Sequence, residues 1–236
     1  MTNDHEHREY LLSEWSMFAK DPRRSAEALK IVRERTLRRI LDVGCGAGQE
    51  MIPFVIGESG QAGKIFGVGI DLSPEAGLLG RSLFETASPE AKIEFSRATA
   101  EQLPFSSDVF DVVICRLALP YTNNSKALSE MSRVLSPQGV LMLKIHHLRY
   151  YFSKLFRAAK RGDLPSMLHS VRVILGGAVY HASGKQPRNF LTAKGESFQT
   201  RGFLERELAK YGLTVLRELA DTSPRAPSLL IQKSAR

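Results

Sequence analysis

The chain has 236 residues, 33 Lys+Arg against 25 Asp+Glu, and a hydrophobic fraction of 43%. This is the composition of an ordinary folded protein, which excludes disordered, collagen-like and coiled-coil chains. Two cysteines, Cys45 and Cys115, are too few for a disulfide framework or a four-ligand zinc site, so no metal is expected. No apolar run approaches the roughly 20 residues that cross a bilayer. The polar start MTNDHEHREY does not read as a signal peptide, and a cytoplasmic chain is expected.

Helices are expected over 9–18 and 22–35, the second with Pro22 in its first turn. A short apolar strand at 39–43 then runs into glycines, followed by helix over 49–56. The alternation continues with a strand at 64–70, a helix at 74–87, strands at 92–96 and 109–115, and a helix at 125–135. A turn at 136–139 leads into a strand at 140–145. Five apolar strands alternating with helices predict a parallel sheet covered on both faces. Two amphipathic helices follow, 148–161 and 163–175, the latter capped by Asp163 and stopped by Gly176-Gly177, and then a loop over 182–195. A helix at 200–211 and two strands, 213–219 and 228–232, close the chain, the strands pairing antiparallel across a turn-rich link. The predicted fold is α/β: a Rossmann-like, mostly parallel seven-stranded sheet with a helical cap inserted after the fifth strand. One domain over 1–236 would divide into an N-terminal helical lid (1–36), a cofactor-binding core (37–145), the cap (146–199) and a C-terminal part (200–236).

The basic excess is local. Residues 144–201 carry eleven Lys+Arg and two acids, a balance of +9, while the remainder is close to neutral. Four of the six histidines lie in the same window. Such a field suits an anionic substrate, a nucleic acid or a membrane surface.

The sharpest local signal is Asp42-Val43-Gly44-Cys45-Gly46-Ala47-Gly48-Gln49. Glycines after a buried strand let the backbone turn tightly and approach a ligand, and the following helix offers free N–H groups. Asp71 ends the next strand, 23 residues beyond Gly48, where a carboxylate would accept hydrogen bonds from ribose hydroxyls. The third glycine arrives one residue too early for the dinucleotide fingerprint, and no Lys-Ser/Thr pair follows as in a P-loop.

These residues resemble the class I S-adenosylmethionine-dependent methyltransferases over about 38–145. The resemblance implies that Asp42, Gly44, Cys45, Gly46, Gly48 and Gln49 cradle the methionine portion of S-adenosylmethionine. It implies that Asp71 and Leu72 meet the ribose. Ala98-Thr99-Ala100-Glu101-Gln102-Leu103-Pro104-Phe105 is similar to the adenine segment, which assigns Thr99, Ala100 and Glu101 to the base. Thr99 stands where the family commonly has Asp, so that contact would lack charge assistance. Arg116 is placed at the cofactor too, and it begins Arg116-Leu117-Ala118-Leu119-Pro120-Tyr121, which lacks the Asn-led motif of amino-group methyltransferases.

His146 and His147, just after the fifth strand, are the candidate catalytic bases. Tyr10, Trp15 and Phe18 are candidate lid residues, and Arg23 or Arg24 a partner for the cofactor carboxylate; neither cysteine is expected to be a nucleophile. The apolar cap faces point to a small apolar or aromatic acceptor, with the basic residues leaving room for an anionic group. One alternative is an RNA methyltransferase using the basic segment. The other is a non-catalytic, cofactor-binding or membrane-associated protein with peripheral contact through 148–161. The sequence sets no oligomeric state.

Overall fold

A computed structural model describes residues 2–56 and 64–234. Its strands are β1 (Arg39–Val43), β2 (Phe66–Asp71), β3 (Ile93–Arg97), β4 (Phe110–Arg116), β5 (Leu135–Lys144), β6 (Leu213–Glu218) and β7 (Ser228–Lys233). They form one sheet in the order β3-β2-β1-β4-β5-β7-β6. β1 to β5 pair in parallel, and β7 runs antiparallel to β5 and β6. The chain leaves β1 in one direction and β4 in the other, so a crevice opens beyond the carboxyl ends of these two strands.

Successive strand residues face opposite sides of a sheet, which explains why these strands are apolar without alternation. Ile40, Val112, Ile114 and Met142 pack under α2 (Pro22–Glu34), α3 (Ile52–Val55) and α4 (Pro74–Ala87). Leu41, Val113, Leu141 and Leu143 pack against α5 (Asn124–Val134) and α8 (Arg201–Ala209) on the other face. Truncating any one of these side chains to alanine costs about 2–5 kcal/mol. The first helix, α1 (Thr2–Lys20), is longer than expected and lays Leu11 on Ala76 and Leu79 of α4.

β5 starts earlier than predicted. Leu135 already pairs with Phe110, a register shift follows, and pairing resumes at Val140 opposite Val112. The expected turn at 136–139 is this interruption, with Gln138 at φ 63°.

The cap consists of α6 (Leu148–Arg161), α7 (Leu164–Ser183) and a 3-10 turn over Phe190–Gly195 inside the expected loop. Tyr151, Val173 and Phe198 form its small core. Gly176-Gly177 does not stop α7, contrary to the sequence expectation. The helix runs on to Gly184, which takes the left-handed C-cap position at φ 68°. The glycine pair instead admits neighbours: a Cβ on Gly176 would sit 2.9 Å from the Thr192 Cβ, and one on Gly177 2.4 Å from the Phe198 ring. Burial against these side chains outweighs the roughly 1 kcal/mol that a glycine costs inside a helix.

Candidate functional site

The crevice holds a cavity of about 1070 Å³, bordered by the ends of β1, β2, β4 and β5, by α1 and by the start of the cap. Its floor is the glycine loop. The Gly44 and Cys45 N–H groups both donate to the Ile70 carbonyl, at 2.8 and 3.0 Å, tying the loop to the end of β2. Gly44 has φ +70°, and a Cβ there would lie 2.4 Å from that of Ala118, so a side chain would separate the loop from the segment after β4. Gly46 N–H donates to Asp71 Oδ2 at 3.0 Å, and Ser73 N–H to Asp71 Oδ1 at 2.9 Å. Asp71 is thus held in place with lone pairs to spare.

Of the twelve residues that the sequence assigned to cofactor, eleven line this cavity: Asp42, Gly44, Cys45, Gly46, Gln49, Asp71, Leu72, Thr99, Ala100, Glu101 and Arg116. Gly48 does not line it. Gly48 sits at φ +83°, and a Cβ there would meet Met51 and the Phe95 ring at 2.9 Å, so it serves the packing of the loop against the sheet. Glu101 accepts from Asn123 N–H at 2.7 Å, which turns the adenine-type segment toward the start of α5.

A chain of buried charges runs beside the loop, and sequence reasoning missed most of it. Arg24 pairs with Glu50, Glu50 with Arg116 (2.8 Å to Nε), Arg116 with Asp221, and Asp221 with Lys144 (2.6 Å). Burial works against the Asp221 charge, but Arg116 and Lys144 hold its carboxyl well below the usual range. Burial likewise opposes the Arg116 charge, which Glu50 and Asp221 stabilise. Arg116 is therefore fixed by Glu50 and Asp221, Arg24 is held by Glu50 with its Nε unpartnered, and Arg23 pairs with Asp21 at 2.9 Å. Glu50 follows the glycine loop directly and was legible as a charged residue there; Asp221 lies in a turn with no signal of its own.

Asp42 is 1% exposed. Burial, reinforced by Glu50, pushes its carboxyl well above the usual range, against the opposing pull of Arg116 and Arg24. Burial also raises both thiols, Cys115 to about 12, which keeps neither available as a thiolate.

The opposite wall is aromatic. His146 stacks on Tyr150 at 4.0 Å between ring centres, with Tyr121 edge-on at 6.4 Å. Burial, then Lys154 and Lys144, lower the His146 pKa to about 4, so the ring is neutral. Tyr151 Oη donates to Glu196 Oε1 at 2.9 Å and lies 3.4 Å from His146 Nδ1. With the hydroxyl proton given to the carboxylate, the network assigns the ring proton to Nδ1, and Nε2 keeps its lone pair. No protein partner meets Nε2 among the described residues.

His147 is placed differently. Its Nδ1 accepts from Arg149 N–H at 3.3 Å as the N-cap of α6, and the residue lies outside the cavity lining. Of the three lid aromatics only Tyr10 reaches the cavity; Trp15 packs edge-on against Phe84 at 5.2 Å and Phe18 is buried.

Whether these residues suit S-adenosylmethionine can be judged from unmet hydrogen-bond capacity. Three buried atoms of the lining have no protein partner: Arg24 Nε, a donor, and Asp42 Oδ2 and Gln49 Oε1, both able to accept. A buried polar group without a partner costs about 1–3 kcal/mol, which a ligand bearing both an ammonium and a carboxylate would relieve. Glu14, Asp71 and Glu101 add carboxylates for a cationic ligand. The residues fit the group.

Residues 41–143 match the family model of a methyltransferase domain. The chain is 31% identical over 122 residues to an uncharacterized methyltransferase, YcgJ, of Bacillus subtilis, covering 50% of this chain and 45% of that protein. It is 31% identical over 115 residues to the ubiquinone/menaquinone biosynthesis C-methyltransferase UbiE of Vibrio vulnificus, covering 45% of this chain and 40% of that one. Less than half the length of either relative is therefore matched. The solved structure of YcgJ superposes with a TM-score of 0.61 at 17% identity, over 92% of this chain and 100% of that one. Magnesium protoporphyrin IX methyltransferase from Synechocystis, solved with bound SAH, gives 0.57 at 17% identity over 97% of this chain and 84% of that one. The fold is shared with both, and the match to a methyltransferase domain spans the glycine loop, Asp71 and β4–β5.

Proposed function

We propose that this protein transfers a methyl group from S-adenosylmethionine to a small apolar or aromatic acceptor. The observation that carries the reading is one continuous cavity, with the glycine loop and Asp71 on one side and the His146–Tyr150–Tyr121 wall on the other. S-adenosylmethionine supplies, when bound, an electrophilic methyl group on a sulfonium. Arg24, Asp42 and Gln49 would hold its amino-acid end, Asp71 its ribose, and Thr99 to Glu101 its base. Methyl transfer is an in-line displacement, so alignment supplies most of the acceleration. The tyrosines flank a flat acceptor, and His146 Nε2 accepts a hydrogen bond from its O–H or N–H. An acceptor becomes strongly acidic as it gains the methyl group, so even this weakly basic imidazole takes its proton.

The name of the UbiE relative, a C-methyltransferase of quinone biosynthesis, supports an aromatic acceptor. The family match stops at Leu143, and His146, Tyr150 and the cap lie beyond it.

The test is methyl transfer from labelled S-adenosylmethionine to a panel of phenols and hydroquinones, with bulk RNA as a second arm. Label in the organic extract, lost in His146→Ala with cofactor affinity retained, is the expected result. Folded protein that binds no S-adenosylmethionine in calorimetry, or label found in RNA, would overturn the reading.

A further inference from the structure

The cap leaves an apolar face without a partner. On α7, Val173, Gly176, Gly177 and Tyr180 face inward and are buried. The opposite side of the helix carries Leu164, Leu168, Val171, Leu175 and Val179, all exposed and spaced three or four residues apart. Leu164 is 71% exposed and Leu175 57%. The paired helix α6 adds exposed Phe152 and Phe156, the latter 69% exposed. A soluble surface helix normally turns polar residues outward, so this stripe is built to be covered.

The charge around it says by what. Neither α6 nor α7 contains an Asp or Glu. Arg149 and Lys160 lie beside the exposed phenylalanines of α6, with Lys160 Nζ 5.7 Å from the Phe156 ring centre, and Arg157 and Arg161 lie further round its exposed side. These four form no salt bridge among the described residues. A second copy of this chain would bring one basic rim against another. An anionic phospholipid surface answers both features, taking the apolar stripe into the acyl boundary and the guanidinium and ammonium groups at the headgroups. Among the described residues no helix is long and apolar enough to cross a membrane, so the contact is peripheral.

We propose that the outward faces of α6 and α7 dock this protein on anionic lipid bilayers. The same helix that presents Phe152 and Phe156 lends Tyr150 to the cavity wall. Docking would therefore hold the cavity beside the layer into which an apolar acceptor partitions, a consequence that rests on the proposed methyl transfer; the docking itself does not.

Vesicle flotation tests it. Phosphatidylcholine vesicles enriched in phosphatidylglycerol should carry the full chain at least about tenfold better than phosphatidylcholine alone, and added salt should reduce the difference. Leu168→Glu with Leu175→Glu should abolish binding, and Arg157→Glu with Arg161→Glu should remove the preference for phosphatidylglycerol. All four residues are exposed, and an unchanged melting temperature and S-adenosylmethionine affinity in both variants would show that the fold is intact. No flotation with either vesicle, flotation untouched by the substitutions, or a dimer in light scattering that the leucine substitutions dissociate would each overturn the proposal. Vesicle binding needs no acceptor, so its failure is separate from failure of methyl transfer.

Discussion

The sheet with its flanking helices and the cap solve burial in opposite ways. In the sheet every apolar side chain of β1, β4 and β5 is covered, and beside the glycine loop the buried charges are linked into one chain from Arg24 to Lys144. In the cap only the inward arcs of α6 and α7 are covered, and apolar residues continue around to the outside. The first arrangement gives a rigid floor whose polar groups are oriented before a ligand arrives. The second gives a wall that is stable on a small core and retains surface for another contact. The difference predicts where substitutions will be costly.

The largest effect should come from the charge chain. Glu50→Gln leaves Arg24 without its carboxylate and Arg116 with Asp221 alone, in surroundings with little water. Breaking a buried pair by removing one partner costs about 3–5 kcal/mol, because the remaining charge is uncompensated. Denaturant unfolding should show this loss, together with weaker S-adenosylmethionine binding, since Arg24 Nε borders the cavity. A change near zero would mean that the chain is solvated and the comparison between floor and wall is false.

His146 sits where the two regions meet, and its prediction is a pH dependence. Its folded pKa is about 4, below the ordinary 6.5, so the unfolded state binds the proton first as pH falls. The stabilisation from the neutral, stacked ring is fully present above pH 6.5 and is lost as pH falls through 4, a loss of about 3 kcal/mol. His147 and His181 shift in the same direction, so the measurement is a difference. The stability gap between the parent chain and His146→Asn should shrink over this window. A gap that is flat with pH would show that the ring titrates alike in the folded and unfolded states and is not enclosed as the structure places it.

The sequence made the floor legible and the wall only partly so. Continuous apolar strands and closely spaced glycines are local patterns, and they placed β1 to β4, the glycine loop and Asp71 where the structure has them. Gly176-Gly177 misled because a glycine pair inside a helix is a packing device only in view of Thr192 and Phe198, which lie 15 or more residues away in the chain. Asp221 joins Arg116 across the β5–β7 pairing, a contact between residues over 100 positions apart. His147 stood next to His146 in the sequence, and only the end of β5 separates a cavity residue from a helix cap. Tyr150 was read with the helix rather than with the site for the same reason.

Asp71→Ala should have a smaller, more local effect on the floor. It removes the acceptor for Gly46 and Ser73 N–H groups and the carboxylate facing the cavity. Hydrogen bonds to a charged group are worth about 1–3 kcal/mol, so S-adenosylmethionine should bind roughly 5- to 150-fold more weakly in calorimetry. Because Asp71 is partly exposed, the melting temperature should fall much less than in Glu50→Gln. A large loss of stability with affinity unchanged would place Asp71 in the framework and not at the ligand.

The smallest effect should come from the cap's outer face. Leu175→Ser removes an apolar side chain of nominal core type, yet this leucine is 57% exposed and lies opposite the buried side of α7. Serine has a modestly lower helix propensity than leucine, and the burial lost is slight, so unfolding should change by no more than about 0.5 kcal/mol. Val173→Ser, two positions earlier on the same helix, faces Tyr151 and Phe198 and should cost several times as much. Equal costs at the two positions would mean that the outer leucines are covered in solution even without lipid, and that the cap, like the sheet, has both its sides closed.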